Sequence, residues 1–226
     1  MDRGVTIIIP FFNEAETLPR TCQELRNIMD TIGLPYTLLF VDDGSCDQGI
    51  ESLSGPNIHI IKLAKNYGQA SALLAGISQA KTEYVLSFDA DLEYSVKALP
   101  RFVEKLEQGY DMVVGVRSPM RKSLVRRVLE GLTCLKLGRS LSDVFCPLKG
   151  ASLKLRENFS PHVFPDLELI KLASKVAQVE VERVGRRNGK SKYTFLRKSG
   201  QALALLVYLA SNWAPVAQYE IVRFRD

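Results

Sequence analysis

The chain has 226 residues, of which 46% are hydrophobic and 24% are charged, and its mean hydropathy is −0.01. This composition is typical of a folded globular chain and argues against one that is disordered or embedded throughout in a membrane. The net charge of +5 is uneven, because residues 1–113 hold 9 Lys and Arg against 16 Asp and Glu, whereas residues 114–226 hold 21 against 9. The second half is therefore expected to meet an anionic partner, such as phosphate groups, a membrane surface or nucleic acid.

Cysteine spacing and chain length narrow the cellular compartment and the number of domains. The four cysteines are Cys22, Cys46, Cys134 and Cys146. They form no C-x-x-C pair, which argues against a structural zinc site and favours a reducing compartment. No basic leader with a long apolar run precedes the first strand-like segment, so we expect no cleaved signal peptide. The length and the lack of a linker predict one domain over residues 1–226.

Predicted strands and helices alternate along the first half of the chain, as in β-α-β units. Short β-branched runs predict buried strands, and apolar residues at helical spacing predict the helices between them. The predicted strands are Val5–Ile9, Thr37–Val41, Ile58–Leu63, Tyr84–Phe88 and Asp111–Val116, and the predicted helices are Glu14–Ile32, Gln69–Ala80 and Val96–Gln108. The pattern predicts an α/β fold with a mainly parallel open sheet flanked by helices.

The alternation ends after Arg117. Residues 121–138 predict an amphipathic helix with a basic side, which either rests on anionic headgroups or faces the core as an ordinary helix. A helix near Leu167–Lys175, a strand near Val179–Val184 and the basic segment Arg186–Lys192 follow. The apolar run at 202–217 is shorter than the roughly 20 residues that span a bilayer, so it is expected to pack on the domain or lie on a membrane.

Polar clusters follow four of the predicted strands. In an open α/β sheet, ligands bind at the carboxyl ends of the strands, so these clusters should meet at one edge. They are Asn13-Glu14, Asp42-Asp43-Gly44-Ser45, Lys65-Asn66-Tyr67-Gly68 and Asp89-Ala90-Asp91. Any one of them could merely form a turn or cap a helix, but the four together predict a binding site.

The Asp89-x-Asp91 segment predicts a metal site. Side chains alternate along an extended chain, so Asp89, Asp91 and Glu93 share one side. Their hard oxygen ligands suit Mg²⁺ or Mn²⁺, which share the rest of the coordination shell with substrate phosphates. A diphosphate bound to such an ion becomes a better leaving group.

Five segments together resemble the inverting glycosyltransferases of family 2, which have the GT-A fold. The segments are Ile7-Ile-Ile-Pro-Phe-Phe-Asn-Glu14, Phe40-Val-Asp-Asp-Gly-Ser45, Asn66-Tyr-Gly-Gln-Ala70, Ser87-Phe-Asp-Ala-Asp-Leu92 and Val113-Val-Gly-Val-Arg117. Within the family, Arg186-Arg-Asn-Gly-Lys-Ser-Lys-Tyr193 is similar to the basic loop of polyprenyl-phosphate sugar transferases of the dolichyl-phosphate mannosyltransferase kind. The resemblance implies a nucleotide-sugar part over 1–117 and an acceptor part over 118–226.

The resemblance also implies roles for particular residues. The implied nucleotide-sugar pocket consists of Pro10, Phe12, Glu14, Phe40, Asp42, Asp43, Lys65, Asp89, Ala90, Asp91 and Arg117. Phosphate or acceptor binding is implied for Arg117, Arg186, Lys190, Ser191 and Lys192, and metal binding for Asp89 and Asp91 with Glu93 beside them. Three departures are Phe12 where Tyr is usual, Glu93 where Gln is usual, and Cys146-Pro147-Leu148 in place of a Gly-Phe pair. The long hydrophobic C-terminal hairpins of some relatives are missing, so no spanning helix is predicted.

The expected reaction moves a hexose from a GDP- or UDP-linked sugar, with Mg²⁺ or Mn²⁺, to a polyprenyl phosphate at the cytoplasmic face of a membrane. A lipid phosphate is largely ionised at neutral pH, so its attack needs cations rather than a base. The alternative acceptor is a sugar hydroxyl, whose proton would pass to Asp166 or Glu168 at the start of the Leu167–Lys175 helix. Both carboxylates could equally stabilise the N-terminus of this helix through its dipole and take no part in catalysis.

Two other classes of protein are disfavoured. A nucleic-acid-binding module would fit the basic second half, but no recognition-helix, zinc-finger or RNA-recognition signature is present, and the acidic edge would repel a polyanion. A dinucleotide-binding dehydrogenase is disfavoured because no G-x-G-x-x-G follows the first strand. We therefore expect no nucleic-acid partner, and the sequence leaves the oligomeric state open.

Overall fold

The computed structural model describes residues 2–120, 122–159, 164–185, 204–210 and 217–225. Eight strands in these residues form one mixed sheet in the order β7-β5-β6-β4-β1-β2-β3-β8. The strands are β1 (Asp2–Phe11), β2 (Tyr36–Asp42), β3 (Ile58–Leu63), β4 (Thr82–Ser87), β5 (Met112–Ser118), β6 (Lys149–Ser152), β7 (Val176–Glu182) and β8 (Ile221–Arg225). The helices are α1 (Leu18–Asp30), α2 (Gln69–Gln79), α3 (Leu99–Glu107), α4 (Leu124–Leu137) and α5 (Pro165–Leu172), and residues 204–210 are also helical.

The four strands β4, β1, β2 and β3 are parallel neighbours, as the β-α-β pattern predicts. Alternate side chains of β1 face opposite layers, because successive residues of a strand point to opposite sides. Ile7 and Ile9 pack in the layer that contains α1 and α3, whereas Ile8 packs in the layer that contains α2. The α2 helix approaches β1 closely at Gly76, where an added Cβ would lie 2.3 Å from Cγ2 of Ile8.

The remaining four strands do not follow the simple alternation of parallel strands and helices. The strand β6 lies between β4 and β5 and is antiparallel to both, while β7 extends the sheet as a parallel neighbour of β5. At the opposite edge, β8 pairs antiparallel with β3. Sequence periodicity did not predict β6 or β8, since β6 has only four residues and includes Lys149 and Gly150. The predicted α/β class, with a sheet flanked by helices, is nevertheless confirmed.

Several predicted boundaries shift. The structure begins the first helix at Leu18 rather than Glu14 and ends α5 at Leu172, three residues before the predicted end. The strand predicted near Val179–Val184 runs from Val176 to Glu182. The amphipathic helix predicted at 121–138 forms as α4, with Ser123 accepting a hydrogen bond from the N–H of Arg126 at its start. No described helix is both long enough and apolar enough to cross a bilayer.

Candidate active site

The four predicted polar clusters lie where β1, β2, β3 and β4 end, and these strands are adjacent in the sheet. The first two ends are joined directly, because the N–H of Asp43 donates to the carbonyl of Phe11 at 2.9 Å. Parallel strands place their carboxyl ends at one edge, so the clusters share that edge. This edge is called the donor edge below.

Asp43 joins the ends of β2 and β3. Its side chain is almost fully buried and accepts hydrogen bonds from the backbone N–H groups of Tyr67 at 2.7 Å and Gly68 at 2.8 Å. The next residue, Gly44, has φ of +75° and packs so tightly that an added Cβ would lie 2.4 Å from the carbonyl carbon of Lys65. The loop after β3 is therefore held by backbone contacts rather than by flexible side chains.

Asp42 is a buried carboxylate whose charge is only partly compensated. Its Oδ1 accepts from the N–H of Ser45 at 2.7 Å, and Nζ of Lys62 lies 3.7 Å from Oδ2. Among the described residues, Oδ2 has no hydrogen-bond partner although it is fully buried. A buried carboxylate oxygen without a donor is costly, so a donor from a ligand would stabilise Asp42.

The end of β1 is fixed through Asn13, which has φ of +54°. Its N–H donates to Oγ of Ser45 at 2.8 Å, and its Oδ1 accepts from the N–H of Cys46 at 2.8 Å. Glu14 accepts from Oγ1 of Thr17 at 3.1 Å. These bonds connect the segment after β1 with the segment after β2 and shape one wall of the donor edge.

The Asp89-Ala90-Asp91 segment leaves β4 in an orientation set by its neighbours. Oδ1 of Asp89 accepts from the amide group of Gln69 at 2.8 Å, and Oδ1 of Asp91 accepts from the N–H of Glu93 at 3.1 Å. The carbonyl of Ala90 accepts from Oγ1 of Thr21, which is buried, at 2.6 Å. Both carboxylates are partly exposed at the donor edge, and their oxygens are of the type that Mg²⁺ and Mn²⁺ prefer.

Glu93 lies beside Arg183 rather than closing a three-carboxylate cluster. Nη2 and Nε of Arg183 approach Oε1 of Glu93 at 2.6 and 2.8 Å, and the carbonyl of Glu93 accepts from the N–H of Val184 at 3.0 Å. No group of three or more His, Cys, Asp or Glu in the described residues is arranged to hold a metal ion. The donor set of Asp89 and Asp91 therefore fits a divalent ion that takes its remaining ligands from phosphate oxygens and water.

Arg117 lies where β5 ends, and it is paired with Asp143. Its Nε donates to Oδ2 of Asp143 at 2.7 Å and its Nη2 to Oδ1 at 2.6 Å. Burial alone would lower the pKa of Arg117, but the carboxylate of Asp143 raises it above its ordinary value. Burial raises the pKa of Tyr94, which hydrogen-bonds to Arg117, to about 12. The guanidinium is thus a permanent cation with a fixed orientation.

Asp166, one of the two candidate bases, is 31% exposed and forms an ion pair with the buried Lys149. Its Oδ2 accepts from Nζ of Lys149 at 2.7 Å, and Lys149 is 5% exposed. The same ammonium donates to the carbonyl of Cys146 at 2.5 Å. Glu168 is partly exposed on the first turn of α5 and lies near Tyr208, whose pKa is raised first by burial and then by Glu168 and Asp166.

The remaining predicted residues fall into three groups. Pro10 and Phe12 lie at the end of β1 on the donor edge, and Lys65 is exposed there with its ammonium 5.3 Å from the ring centre of Tyr67. Phe40 is fully buried and packs edge to face with Phe11, so any role in nucleotide binding acts through packing. Residues outside the described ranges are Arg186, Lys190, Ser191 and Lys192.

Sequence reasoning missed several polar side chains that shape the site. They are Thr21, Gln69, Asp143, Lys149 and Arg183. Each contacts a partner that lies far away in the chain. Thr21 and Ala90, for example, are 69 positions apart. Local periodicity carries no signal for such pairs. For Asp143, the one available hint was an acidic residue within the basic second half.

Residues 6–133 match the family described as glycosyl transferase family 2. The chain belongs to glycosyl transferase family 2. It is 34% identical over 225 residues to an undecaprenyl-phosphate 4-deoxy-4-formamido-L-arabinose transferase of Pectobacterium atrosepticum, covering 93% of this chain and 68% of that protein. A protein of the same description from Photorhabdus laumondii is 32% identical, covering 97% of this chain and 71% of that protein. The predicted glycosyltransferase activity is confirmed at the level of this family.

Solved structures show the same fold at lower identity. Glucosyl-3-phosphoglycerate synthase from Mycobacterium tuberculosis, in complex with Mn²⁺, UDP and glucosyl-3-phosphoglycerate, aligns with a TM-score of 0.70 at 18% identity, over 99% of this chain and 90% of that chain. Mannosyl-3-phosphoglycerate synthase from Rubrobacter xylanophilus aligns with a TM-score of 0.72 at 16% identity, over 93% of this chain and 73% of that chain. At these identities the likeness concerns the fold alone.

Proposed function

We propose that this family 2 glycosyltransferase moves a sugar from a nucleotide diphosphate sugar to a polyprenyl phosphate. The observation that carries the proposal is the 34% identity to an undecaprenyl-phosphate sugar transferase over 93% of this chain. A relationship of that extent includes both the donor edge and the acceptor side, which is the name used below for Arg117 together with residues 118–226. The basic second half of the chain suits an anionic acceptor.

The donor is a GDP- or UDP-linked sugar bound at the donor edge with Mg²⁺ or Mn²⁺. Asp89 and Asp91 would hold the ion, which neutralises charge on the leaving diphosphate when bound. Gln69 orients Asp89, and Thr21 fixes the backbone between the two carboxylates. Solved structures with this fold that contain Mn²⁺ or Mg²⁺ together with UDP support a divalent ion here.

The reaction is a displacement at the anomeric carbon. An oxygen of the lipid phosphate attacks that carbon, the new carbon–oxygen bond forms as the bond to the diphosphate breaks, and the nucleoside diphosphate leaves with inversion. The phosphate is already ionised near neutral pH, so no side chain has to remove a proton. Cationic side chains on the acceptor side, among them Arg117 where β5 ends, hold the anion in position.

A sugar hydroxyl as acceptor is the alternative, and the structure weakens one of its two candidate bases. Proton transfer to Oδ2 of Asp166 would break its ion pair and leave the ammonium of Lys149 buried without its carboxylate partner. Glu168, the other candidate, is partly exposed on the first turn of the same helix. Glu168 is therefore the residue to test if the acceptor proves to be a hydroxyl.

We also propose peripheral contact with an anionic membrane through α4, at the cytoplasmic face. This helix exposes large apolar side chains, with Leu124 at 77% and Leu135 at 79% exposed, and further apolar residues at Val125, Val128 and Leu132. Basic residues of the same region are Lys122, Arg126, Arg127, Lys136 and Arg139. Apolar side chains next to cations are typical of helices that lie in the interface of an anionic membrane. The alternative of an ordinary core-facing helix does not account for this exposure.

The decisive experiment is a transfer assay with UDP- and GDP-sugars, undecaprenyl phosphate and Mn²⁺ or Mg²⁺. We expect a lipid-linked sugar, and we expect Asp91→Asn to lower turnover at least about 1,000-fold, because a metal clamp on the diphosphate contributes several kcal/mol. Asp30→Asn, which makes the same substitution at the end of α1, is the control and should remain active. A wild-type chain that transfers only to sugar hydroxyls would overturn the lipid-phosphate proposal.

Membrane contact has a separate test by flotation with vesicles that contain anionic lipid. The double variant Leu124→Glu and Leu135→Glu should lose vesicle binding while keeping its fold. Val222→Glu changes a side chain that is 56% exposed on β8, at the far edge of the sheet, and should bind vesicles as the wild type does. Equal binding by the wild type and both variants would contradict a membrane role for α4.

A further inference from the structure

Asp143 is a fully buried carboxylate on the acceptor side, in the loop between α4 and β6. Its Oδ2 accepts from the backbone N–H and from Nε of Arg117 at 3.2 and 2.7 Å. Its Oδ1 accepts from Nη2 of Arg117 at 2.6 Å and from Nη2 of Arg126 at 2.9 Å. A buried charge is costly unless it is paired and hydrogen-bonded, and these four bonds provide both.

The two arginines come from different elements. Arg117 belongs to β5, whereas Arg126 belongs to the first half of α4. Arg126 also donates from Nε to Glu130 at 2.9 Å, and Nζ of Lys122 lies 2.5 Å from the other oxygen of Glu130. Asp143 therefore connects the end of β5 with the helix that we propose to contact the membrane.

The cluster presents its cations outward and its carboxylates inward. The side chains of Arg117, Lys122 and Arg126 are 15%, 20% and 29% exposed, whereas those of Asp143 and Glu130 are 0% and 6% exposed. Three cations and two carboxylates leave one excess positive charge. An anion that approaches from solvent would meet guanidinium groups before it met either carboxylate.

Arg117 can hold Asp143 and still bind an anion. A guanidinium has five N–H donors. Asp143 takes one from Nε and one from Nη2, and Tyr94 hydrogen-bonds to the same side chain, so further donors remain for a ligand. The bidentate geometry fixes the plane of the group, and so fixes the direction of its remaining donors. Without the carboxylate, repulsion between the two guanidinium groups would drive Arg117 and Arg126 apart.

We propose that Asp143 is a positioning residue for the acceptor: it orients Arg117 toward the lipid phosphate and ties α4 to it, without touching the phosphate itself. This inference rests on the proposed function, because it assigns Arg117 a lipid-phosphate ligand. Of the two roles that the resemblance implies for Arg117, nucleotide-sugar binding and acceptor binding, it assigns the second. It predicts that loss of the Asp143 charge weakens acceptor binding and leaves donor binding intact, since the contacts of the donor edge do not include Asp143.

The test compares Asp143→Asn with the wild type in the transfer assay. We expect the KM for undecaprenyl phosphate to rise about tenfold or more, as is typical for loss of a charge-assisted hydrogen bond, while the Kd of the nucleotide sugar changes less than twofold. Circular dichroism and thermal melting check the fold. A folded variant with an unchanged acceptor KM, or with equal losses for donor and acceptor, would overturn the inference.

A second pair of variants covers the case in which Asp143→Asn fails to fold. Arg126→Gln removes a partner of Asp143, and Arg127→Gln removes the same charge from an exposed neighbour on the same helix. Both variants remove one positive charge from α4, so they differ in the contacts of Arg126 with Asp143 and with Glu130. We expect a rise in acceptor KM of about threefold or more for Arg126→Gln beyond that for Arg127→Gln.

The outcomes separate the two proposals. Equal KM values for Arg126→Gln and Arg127→Gln would refute the positioning role while leaving transfer to lipid phosphate intact. A wild-type chain that gives no lipid-linked product would refute the proposed function and, with it, the positioning role. Transfer by the wild type with a selective loss in Asp143→Asn supports both.

Discussion

The donor edge and the acceptor side hold their carboxylates in different ways. Asp43 on the donor edge is fixed by the backbone N–H groups of Tyr67 and Gly68, whereas Asp143 and Asp166 on the acceptor side are fixed mainly by cationic side chains. Backbone donors are part of the strand and loop structure, but arginine and lysine side chains have several rotatable bonds. We therefore expect donor binding to depend on chain geometry and acceptor binding to depend on ion pairs.

The largest effect that can test this comparison concerns backbone geometry on the donor edge. Gly44 and Gly33 have nearly equal φ values of +75° and +76°, but an added Cβ would lie 2.4 Å from backbone at Gly44 and would meet nothing within 4 Å at Gly33. Gly33→Ala should cost about 1 kcal/mol of unfolding free energy for the left-handed backbone alone. Gly44→Ala should cost about 3 kcal/mol, because overpacking against backbone is added.

Urea denaturation of both glycine variants measures these costs, and nucleotide binding provides the second readout. Only Gly44→Ala should weaken nucleotide binding, because only this residue packs against the loop after β3. If the two variants were equally stable and bound nucleotide equally well, the donor edge would not depend on that close backbone approach.

An intermediate effect is expected for Asp111, which directly precedes β5 and lies at the opposite end of this strand from Arg117. Burial alone would raise the pKa of Asp111, but hydrogen bonds from Lys154 and from the backbone N–H groups of Lys175 and Ser174 lower it below its ordinary value. A lowered pKa in the folded state gives stability that is present above the unfolded pKa of about 3.9 and is lost as pH falls through the folded value.

Asp111→Asn should therefore lower the free energy of unfolding by about 1–2 kcal/mol at pH 7. The difference from the wild type should shrink as the pH falls below about 4, because Asp111 of the unfolded wild-type chain then takes up a proton, and it should vanish below the lowered pKa of the folded state. Denaturation at several pH values checks this, with Asp30→Asn as the exposed control. A difference that stayed constant down to pH 2 would assign the effect to packing instead of charge.

The smallest effect is expected for the ion pair between Glu93 and Arg183. Arg183 is 57% exposed, so a double-mutant cycle with Glu93→Gln and Arg183→Gln should give a coupling of at most about 1 kcal/mol, which falls as salt is added. Because Glu93 already contacts Arg183, Glu93→Gln should change the Mn²⁺ affinity measured with nucleoside diphosphate less than threefold. A tenfold loss would place Glu93 in the metal shell, as the sequence pattern predicts.

The donor edge was predictable because its signals are local. Each cluster directly follows a β-branched strand, and parallel neighbours place their carboxyl ends together, so Asp43, Asp89 and Asp91 could be assigned to one edge from the order of the chain. The contact between Asp43 and the loop after β3 could not be predicted, because the sequence does not show which of the four clusters donate hydrogen bonds to one another.

The acceptor side was less predictable because its contacts join distant segments. The strand β6 has only four residues, too few to show an alternation of apolar and polar side chains. It pairs with β4 on one side and with β5 on the other. Asp143 is paired with Arg117 and Arg126, which lie 26 and 17 residues away in the chain. The exposed apolar face of α4 was visible as amphipathic periodicity, but periodicity does not show whether that face is covered.

The position of β6 has a consequence for how this chain folds. Because β6 lies between β4 and β5, those two strands have no direct hydrogen bonds to each other in the sheet order, and the gap closes only when residues 149–152 arrive. A fragment that ends at Arg117 would expose one unpaired edge of β4 and both edges of β5, which invites aggregation. The nucleotide-sugar and acceptor parts are therefore expected to fold cooperatively, and separating them should yield two insoluble halves rather than two modules.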